Sequence, residues 1–471
     1  MDYIFTYPRE EFEKGLNKEI ITKLIDKHRS IVTNVLKRNK AYYDGKHAIK
    51  SNERKKKGAP NQKTVCNHAK DISDTASGYF MGNPITYGAP ESTDITALTD
   101  AFALAEVDDV DQDNALLISI YGKAYDYTYA AEDEAELRVK GLSPENTFIV
   151  YDDTIEQNEL FGVYYYVKKD DANDKVQYVA TICTDAHIYN FLLYPGHAAD
   201  NKETDEPKEH NLGSVPITEY KNNKFDIGDF EQQIGLIDAY NTLMADRVND
   251  KEQFIDAVLV LYGAILADAA DNEDGEDDMY SEARMKLKKA GILELPEDAK
   301  AEYLTRALDE NGVETLRKAI KEDIYTFSHV PNLTDEKFAG NSSGVAMEYK
   351  LLGLEMLTKI KERYYKKGLR KRIKMFCHFL GLKNKSIDPT AVVPTFSRSL
   401  PQNLVELANM IATLSDKVSA KTLIKLLPFV ENPDEEVEAV KAEKDEAAQR
   451  QRAAFEQTVN TRPEEEIEEN E

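Results

Sequence analysis

The run from Asp229 to about Leu380 constrains the fold more than any other part of the chain. Its hydrophobic periodicity reads helix, acidic insert, helix, short loop, very long helix. In Asp229–Gln253, Phe230, Ile234, Ile237, Met244 and Val248 recur at helical spacing. From about Val313 to His329, Val313, Leu316, Ile320 and Phe327 do the same. Pro331 stops that helix, because a proline pushes the residue before it out of the α region. A polar loop, 331–343, follows, and Ser342 or Ser343 is placed to cap the next helix by accepting an orphan backbone N–H. That helix is expected to run to Leu380 and to end at Gly381, with Gly353 and Gly368 as its weak points. At 1.5 Å per residue it spans ~55 Å, more than a small domain's diameter. Such a helix beside a short interhelical loop points to a large assembly more than to a compact enzyme.

Residues 9–40 carry a helical stripe, followed by a turn at Asp44-Gly45. Residues 50–63 form a polar, basic loop, and 62–80 a helix that leads into a short strand. Residues 91–121 are again helical. Then 122–129, 137–142, 147–151, 161–168, 176–183 and 186–193 are rich in Tyr, Val and Ile and bounded by polar turns, the spacing of an antiparallel meander. The segment 197–211 reads as a hairpin tip or mobile loop, and 215–220 as one more strand. Within the helical run, 257–266 and 291–296 read as strands around an acidic loop, 268–278, and a short basic helix, 281–289. Val392–Phe396 is a strand. Helices follow at about 404–414 and 422–430, and a charged helix from Pro433 decays into an acidic tail expected to be disordered. The fold class is α+β, mostly α, in two to four structural units.

The net charge of −26 argues against general coating of nucleic acid, which needs Lys and Arg against phosphate, but not against a protein that lets DNA pass without sticking. The three cysteines, Cys66, Cys183 and Cys377, are odd in number and far apart, and read as reduced thiols of a cytosolic protein. No signal peptide and no apolar run of about 18 residues is present. No phosphate-cradling Gly-x-x-x-x-Gly-Lys-Ser/Thr loop, no Gly-x-Ser-x-Gly elbow and no paired histidines of zinc type occur. The Asp109–Asn114 stretch starts like a calcium loop but lacks the turn glycine and the closing glutamate, so a carboxylate-rich helix N-terminus explains it better. Tyr151-Asp152-Asp153 resembles the paired aspartates of metal-dependent nucleases and polymerases, yet a turn after a strand accounts for it. No catalytic, cofactor or metal site is expected.

One charge feature stands out. Lys359, Lys361, Arg363, Lys366, Lys367, Arg370, Lys371, Arg372 and Lys374 crowd the second half of the long helix, opposed only by Glu362. The cluster is read as a helix face paired with acidic surfaces of its own or of a neighbouring subunit, with Lys366, Lys367, Arg370, Lys371 and Arg372 as the expected contacts between subunits and a surface near DNA as the alternative. The cluster covers several helix faces, so it cannot all point one way.

Several pieces in order resemble the tailed-phage portal family typified by the portal of Bacillus phage SPP1. They are Tyr42-Tyr-Asp-Gly-Lys46, Gly78-Tyr79 with Gly82-Asn-Pro-Ile85, Lys221-Asn-Asn-Lys224 with Leu236–Asn241, Gly340-Asn-Ser-Ser-Gly344-Val-Ala346, and Pro394-Thr-Phe396 with Leu400-Pro401. Each is weak alone; the order carries the resemblance, over about 10–440. It implies a ring, normally of twelve subunits, at one capsid vertex of the virion, assembled in the host cytoplasm, with no enzymatic activity. It further implies a mixed α/β wing (1–228 and 345–400), stem helices (229–253 and 311–330), a small α/β clip (254–310), a tunnel loop (331–344) and a helical crown (401–471).

The tunnel loop would bring Lys337, Gly340, Asn341, Ser342, Ser343 and Gly344 to double-stranded DNA, flexing at Gly340 and Gly344. The clip, with Asp271, Glu273, Asp274, Glu276, Asp277 and Asp278, would face a separate terminase motor, its large subunit, and later a head-completion or tail adaptor. Major capsid and scaffolding proteins are further implied partners; a membrane is not. Twelve copies at −26 each give about −312, and an acidic wall lets a duplex slide. A non-portal adaptor or scaffold protein, or a metal-dependent nuclease using Asp152 and Asp153, are the other readings.

Overall fold

The computed structural model describes residues 4–53, 60–90, 93–131, 136–170, 175–254, 258–262, 300–304, 310–333, 344–398, 404–424, 426–427, 430 and 433–460. They fall into two units divided at Ser399/Leu400. The fold is mixed α/β, with about half of the described residues helical, so helix is less dominant than the sequence reading had it.

The first unit opens with a strand that the sequence reading did not include. Phe5–Tyr7 (β1) is too short to show a period, yet Phe5 and Tyr7 are both buried. Arg9–Phe12 (α1) and Lys18–Ile31 (α2) follow, and Asn17 caps α2 by accepting the N–H groups of Glu19 and Ile20. A π turn, Val32–Leu36, carries the helix on to Lys37–Tyr43 (α3). His68–Met81 (α4), Thr86–Gly88 (β2), Thr96–Leu104 (α5) and Val107–Tyr121 (α6) come next. The single helix expected over 91–121 is broken at Ala105-Glu106, where Glu106 adopts φ 50°.

The expected meander divides between two sheets. Lys123–Ala130 (β3) and Leu137–Leu142 (β4) form a hairpin. Thr147–Asp152 (β5), Glu159–Asp170 (β6), Lys175–Cys183 (β7) and His187–Leu193 (β8) form the true meander, with β1 added in parallel to β5. Segment 197–211, expected as a hairpin tip or mobile loop, supplies two short rungs on β8, Lys202–Glu203 (β9) and Lys208–Glu209 (β10). Ile217–Lys221 (β11) joins β3, giving the order β11-β3-β4. The two sheets meet through Tyr125, Ile149, Cys183 and Ile217. α2 covers the other face of the meander, with Ile21 and Ile25 against Phe5, Phe148 and Phe161.

Ile234–Phe254 (α7) and Glu310–Ser328 (α8) are the expected helix pair. Between them in sequence, Val258–Tyr262 (β12) pairs antiparallel with Lys300–Leu304 (β13). The expected strand at 291–296, the acidic loop and the basic helix lie outside the described residues. Gly344–Leu382 (α9) is the long helix. It runs through Gly381 instead of stopping there and closes one turn later, where Asn384 takes φ 63° and Lys385 donates to the Leu380 carbonyl. Val393–Thr395 (β14) then pairs with β2, beside a core of Leu98, Phe102, Ile373 and Phe376. In the second unit, Leu404–Leu414 (α10), Ala420–Ile424 (α11) and Pro433–Asn460 (α12) are helical. α11 is shorter than the 422–430 helix expected, and the acidic tail beyond Asn460 lies outside the described residues.

The two glycines inside α9 differ in kind. A Cβ at Gly368 would lie 2.6 Å from the Tyr220 ring and 2.9 Å from the Glu219 carbonyl oxygen, so this glycine lets the helix close onto β11. At Gly353 the nearest atom would be His329 Cβ at 3.4 Å, an ordinary contact. Gly368→Ala is therefore expected to destabilise the chain by about 1–3 kcal/mol through overpacking. Gly353→Ala is expected to stabilise it by about 0.5–1 kcal/mol through helix propensity. Urea unfolding of the two variants checks both signs.

Candidate functional site

The basic half of α9 is sorted by the fold into an inner and an outer set. Arg372 is fully buried. Its guanidinium donates to both oxygens of Asp111 on α6, at 2.7 and 3.0 Å, and through Nε to Asp126 Oδ2 on β3 at 3.1 Å. Tyr365 donates to Asp111 and Tyr220 to Asp126, at 2.7 and 2.8 Å. The two rings stack at 4.4 Å, and the guanidinium lies 5.2 Å from the Tyr220 ring. Burial first, and the carboxylates with it, push both phenols well above their ordinary pKa, so they stay donors. Lys371 pairs with Glu159 and donates to the Ile217 carbonyl at 2.7 Å. Lys361, itself buried, pairs with Asp229, which also accepts from Ser119 and Asn222.

Arg372 and Lys371 thus bond within the subunit, which corrects their reading as contacts between subunits. A bare cation in this core would be costly, and the carboxylates of α6, β3 and β6 answer it. Lys366 is half-buried, near Glu362 at 4.0 Å and 5.3 Å from the Phe396 ring. Lys367 and Arg370 point outward.

A second charged cluster lies under β11. Glu219 accepts from the hydroxyls of Tyr125 and Tyr151, each at 2.9 Å, and sits 3.5 and 3.3 Å from Lys123 and Lys221. Asp226 completes it, 3.1 Å from Lys123. Burial alone would raise the Glu219 carboxyl, but the two lysines and the two phenols outweigh it and hold the group at about 2.

The base of the α7–α8 pair is held by side chains at close to helical intervals. Glu231 accepts from Arg38 and Asn39 at 2.9 and 3.0 Å, and Asp238 accepts from the Tyr42 hydroxyl at 2.8 Å. Asn241 donates to His47 Nδ1 at 2.7 Å and accepts the Cys66 N–H at 2.8 Å. His47 Nε2 in turn donates to the Tyr42 carbonyl. Asn249 takes the Gln62 N–H at 2.6 Å. Across the pair, Glu314 binds Arg247 and Arg317, and Arg317 donates to Tyr240. Tyr325 donates to Asp71 at 2.6 Å, so α8 is tied to α4 as well.

The model of phage portal proteins of the SPP1 Gp6-like type matches residues 21–450. The chain belongs to this portal family. It is 24% identical to the portal protein of Bacillus phage SPP1 over 456 residues, covering 92% of this chain and 87% of that protein. It is 22% identical to the portal protein of Clostridium phage phiCD119 over 310 residues, covering 62% and 64%. Among solved structures, the neck of a native gene transfer agent particle aligns with a TM-score of 0.47 at 10% identity, covering 77% of this chain and 90% of that one. The neck of an empty gene transfer agent particle aligns at 0.45 and 11%, covering 78% and 88%.

The portal resemblance drawn from ordered motifs therefore holds. Of the site residues, Lys337, Gly340, Asn341, Ser342 and Ser343 lie outside the described residues, as do Asp271, Glu273, Asp274, Glu276, Asp277 and Asp278. Gly344 is the first residue of α9. Asp152, weighed as a nuclease carboxylate, is turned into its own loop, where it accepts from Thr154 and Asn158. Asp111, weighed as part of a calcium loop, lies in a helix and faces Arg372. Among the described residues no group of three or more His, Cys, Asp and Glu is placed to hold a metal ion, and no helix is long and apolar enough to cross a membrane. The three thiols are unpaired. Sequence reasoning missed Tyr220, Tyr365, Asp126 and Glu219, since nothing in a pattern of one strand or helix names a partner 68 to 254 residues away.

Two outcomes are expected. Arg372→Met strands two buried carboxylates and should lose about 3–5 kcal/mol in urea unfolding, while adding Asp111→Asn and Asp126→Asn should recover part of that loss. Glu219 is held well below its unfolded value of ~4.3, so its contribution is present above that pH and is lost as pH falls toward 2. The acid limb of the stability curve should accordingly be shallower in Glu219→Gln than in the parent, read by unfolding at pH 5, 4 and 3.

Proposed function

We propose that this protein forms the ring at one vertex of a tailed-phage capsid, through which double-stranded DNA enters during packaging and leaves during ejection. The observation that carries the proposal is the family match across 21–450, which spans α7, α8 and α9. The ring is expected to have twelve subunits, to be assembled in the host cytoplasm and to remain in the virion. On this reading, 1–228 and 345–400 are the wing, 229–253 and 311–330 the stem, 254–310 the clip, 331–344 the tunnel loop and 401–471 the crown.

The division of labour follows from chemistry. With a net charge of −26 per copy, a ring repels phosphate over most of its surface, and a duplex can move past without being held. Lys337 and the hydroxyls and amide of Asn341, Ser342 and Ser343 are the few groups proposed to touch phosphate. The acidic segment 271–278 is proposed as the face for the terminase large subunit and, later, for a head-completion or tail adaptor. Capsid and scaffolding proteins would meet the wing. The hydrolysis of nucleotide belongs to the terminase, and the portal has no catalytic role.

Native mass spectrometry with negative-stain images tests this. Particles near 12 × 53.3 kDa with a central hole are expected. A discrete dimer, with no ring at any concentration or with scaffold, would overturn the proposal in favour of an adaptor.

A further inference from the structure

The outward face of α9 is continuous and of two kinds. Tyr349, Leu352, Met356 and Ile360 are exposed at 74, 50, 61 and 42%. Arg363, Lys367, Arg370 and Lys374 continue the same face and are also exposed. The steps between these positions are three or four residues throughout, which keeps them on one side of a helix. No carboxylate among the described residues lies within ion-pair distance of these four cations; Lys367 covers only its neighbour Tyr364. Arg372 sets their direction. Its guanidinium holds Asp111 on α6, and at 100° per residue Arg370 and Lys374 lie about 160° from Arg372 on either side. The cationic face therefore looks away from α6.

α6 mirrors this arrangement. Glu106, Asp109 and Asp113 are exposed, spaced by three and four residues, and no cation among the described residues pairs with them. Asp109 and Asp113 each lie about 160° from Asp111, so this acidic face looks away from α9, with Glu106 just before the first residue of α6. From Asp109 to Asp113, and from Arg363 to Lys367, the rise is the same ~6 Å, so carboxylates and cations match in spacing.

Two unpaired faces of opposite sign thus stand on opposite sides of one body. We propose that they are the two halves of one contact between copies: the Arg363–Lys374 face of one subunit seats on the Glu106–Asp113 face of the next. The Tyr349–Ile360 stretch, continuous with the cations, is covered by the same neighbour. Faces that look in opposite directions join head to tail, as a ring requires, and not by a two-fold. The inference rests on the portal reading for the existence of a ring and adds the residues that orient it. It replaces Lys366, Lys371 and Arg372 with Arg363 and Lys374, and keeps Lys367 and Arg370.

Charge reversal tests it on the full chain. Variant one carries Arg363→Glu, Lys367→Glu, Arg370→Glu and Lys374→Glu; variant two carries Glu106→Lys, Asp109→Lys and Asp113→Lys. Each alone puts like charges together and should raise the concentration needed for assembly roughly 10-fold or more, leaving 53.3 kDa chains by native mass. Mixed one to one, the two should assemble again, in rings restricted to even numbers of alternating copies. A chain carrying both sets should assemble alone, which separates lost contact from lost folding. Wild-type rings, with both variants assembling as wild type, overturn this contact and leave the portal reading standing. Wild-type chains that never form a ring overturn both. If variant one assembles normally but loses retention of a 60-base-pair duplex, the cationic face belongs to DNA and the subunit contact is wrong.

Discussion

The ion triad of Arg372, Asp111 and Asp126 is the interaction on which the rest of the first unit depends. It joins three elements far apart in sequence, α9, α6 and β3, and it does so in the dry core. Such a group adds less to stability than an apolar core of the same volume would, since two carboxylates and a guanidinium have lost their water. What it supplies is geometry. A planar fork with both Asp111 oxygens engaged admits one rotational setting of the helix, and Gly368, one turn earlier, lets Tyr220 and the β11 backbone close on that setting. Rotation of α9 by one residue would turn Lys371 or Ile373 toward Asp111 in place of Arg372. The triad thereby decides which side chains of a 39-residue helix meet the outside.

The base of α7 follows a different logic. Its bonds to residues 38–67 are mostly neutral or singly charged and half-exposed, and each is worth on the order of 1 kcal/mol. Their strength is in their number and spacing. Glu231, Asp238, Asn241 and Asn249 engage α3 and the segment that follows it, so α7 cannot tilt without breaking several of these bonds together. α8 is fixed to α7 through Glu314 and to α4 through Tyr325. Force applied along this helix pair is passed to the N-terminal segment and α4 as a unit.

What the sequence made legible is what periodicity encodes. The helix pair, the long helix and the β5–β8 meander repeat at 3.6 or 2.0 residues over long enough spans to be read, and the ordered motifs led to the family. What it hid has physical reasons too. β1 is three residues long and owes its place to parallel pairing with Val150 and its neighbours, a long-range contact with no local signature. Gly381 reads as a stop, but tertiary packing of Phe376, Cys377 and Leu380 carries the helix past it. The run of nine cations could be seen to cover several faces, but the sequence does not say which of those faces turns inward. The carboxylates that take Arg372, Lys371 and Lys361 inward lie more than 100 residues away, and only the fold places them.

The sorting of charge bears on how a strongly acidic chain can assemble at all. Arg372, Lys371, Lys361, Lys123 and Lys221 are matched to carboxylates inside the subunit, so much of the −26 remains on the outside. Between copies that excess is repulsive, but in physiological salt it fades beyond about 8 Å. Contact-range pairing then outweighs it wherever cations and carboxylates meet closely. Cations spread evenly among the carboxylates would gain little by this, since each would meet a local excess of acid. Gathering Arg363, Lys367, Arg370 and Lys374 on one face, opposite Glu106, Asp109 and Asp113, makes one approach attractive and leaves the others repulsive. The same acidity that is proposed to keep a duplex sliding would therefore also select the orientation in which one copy accepts the next.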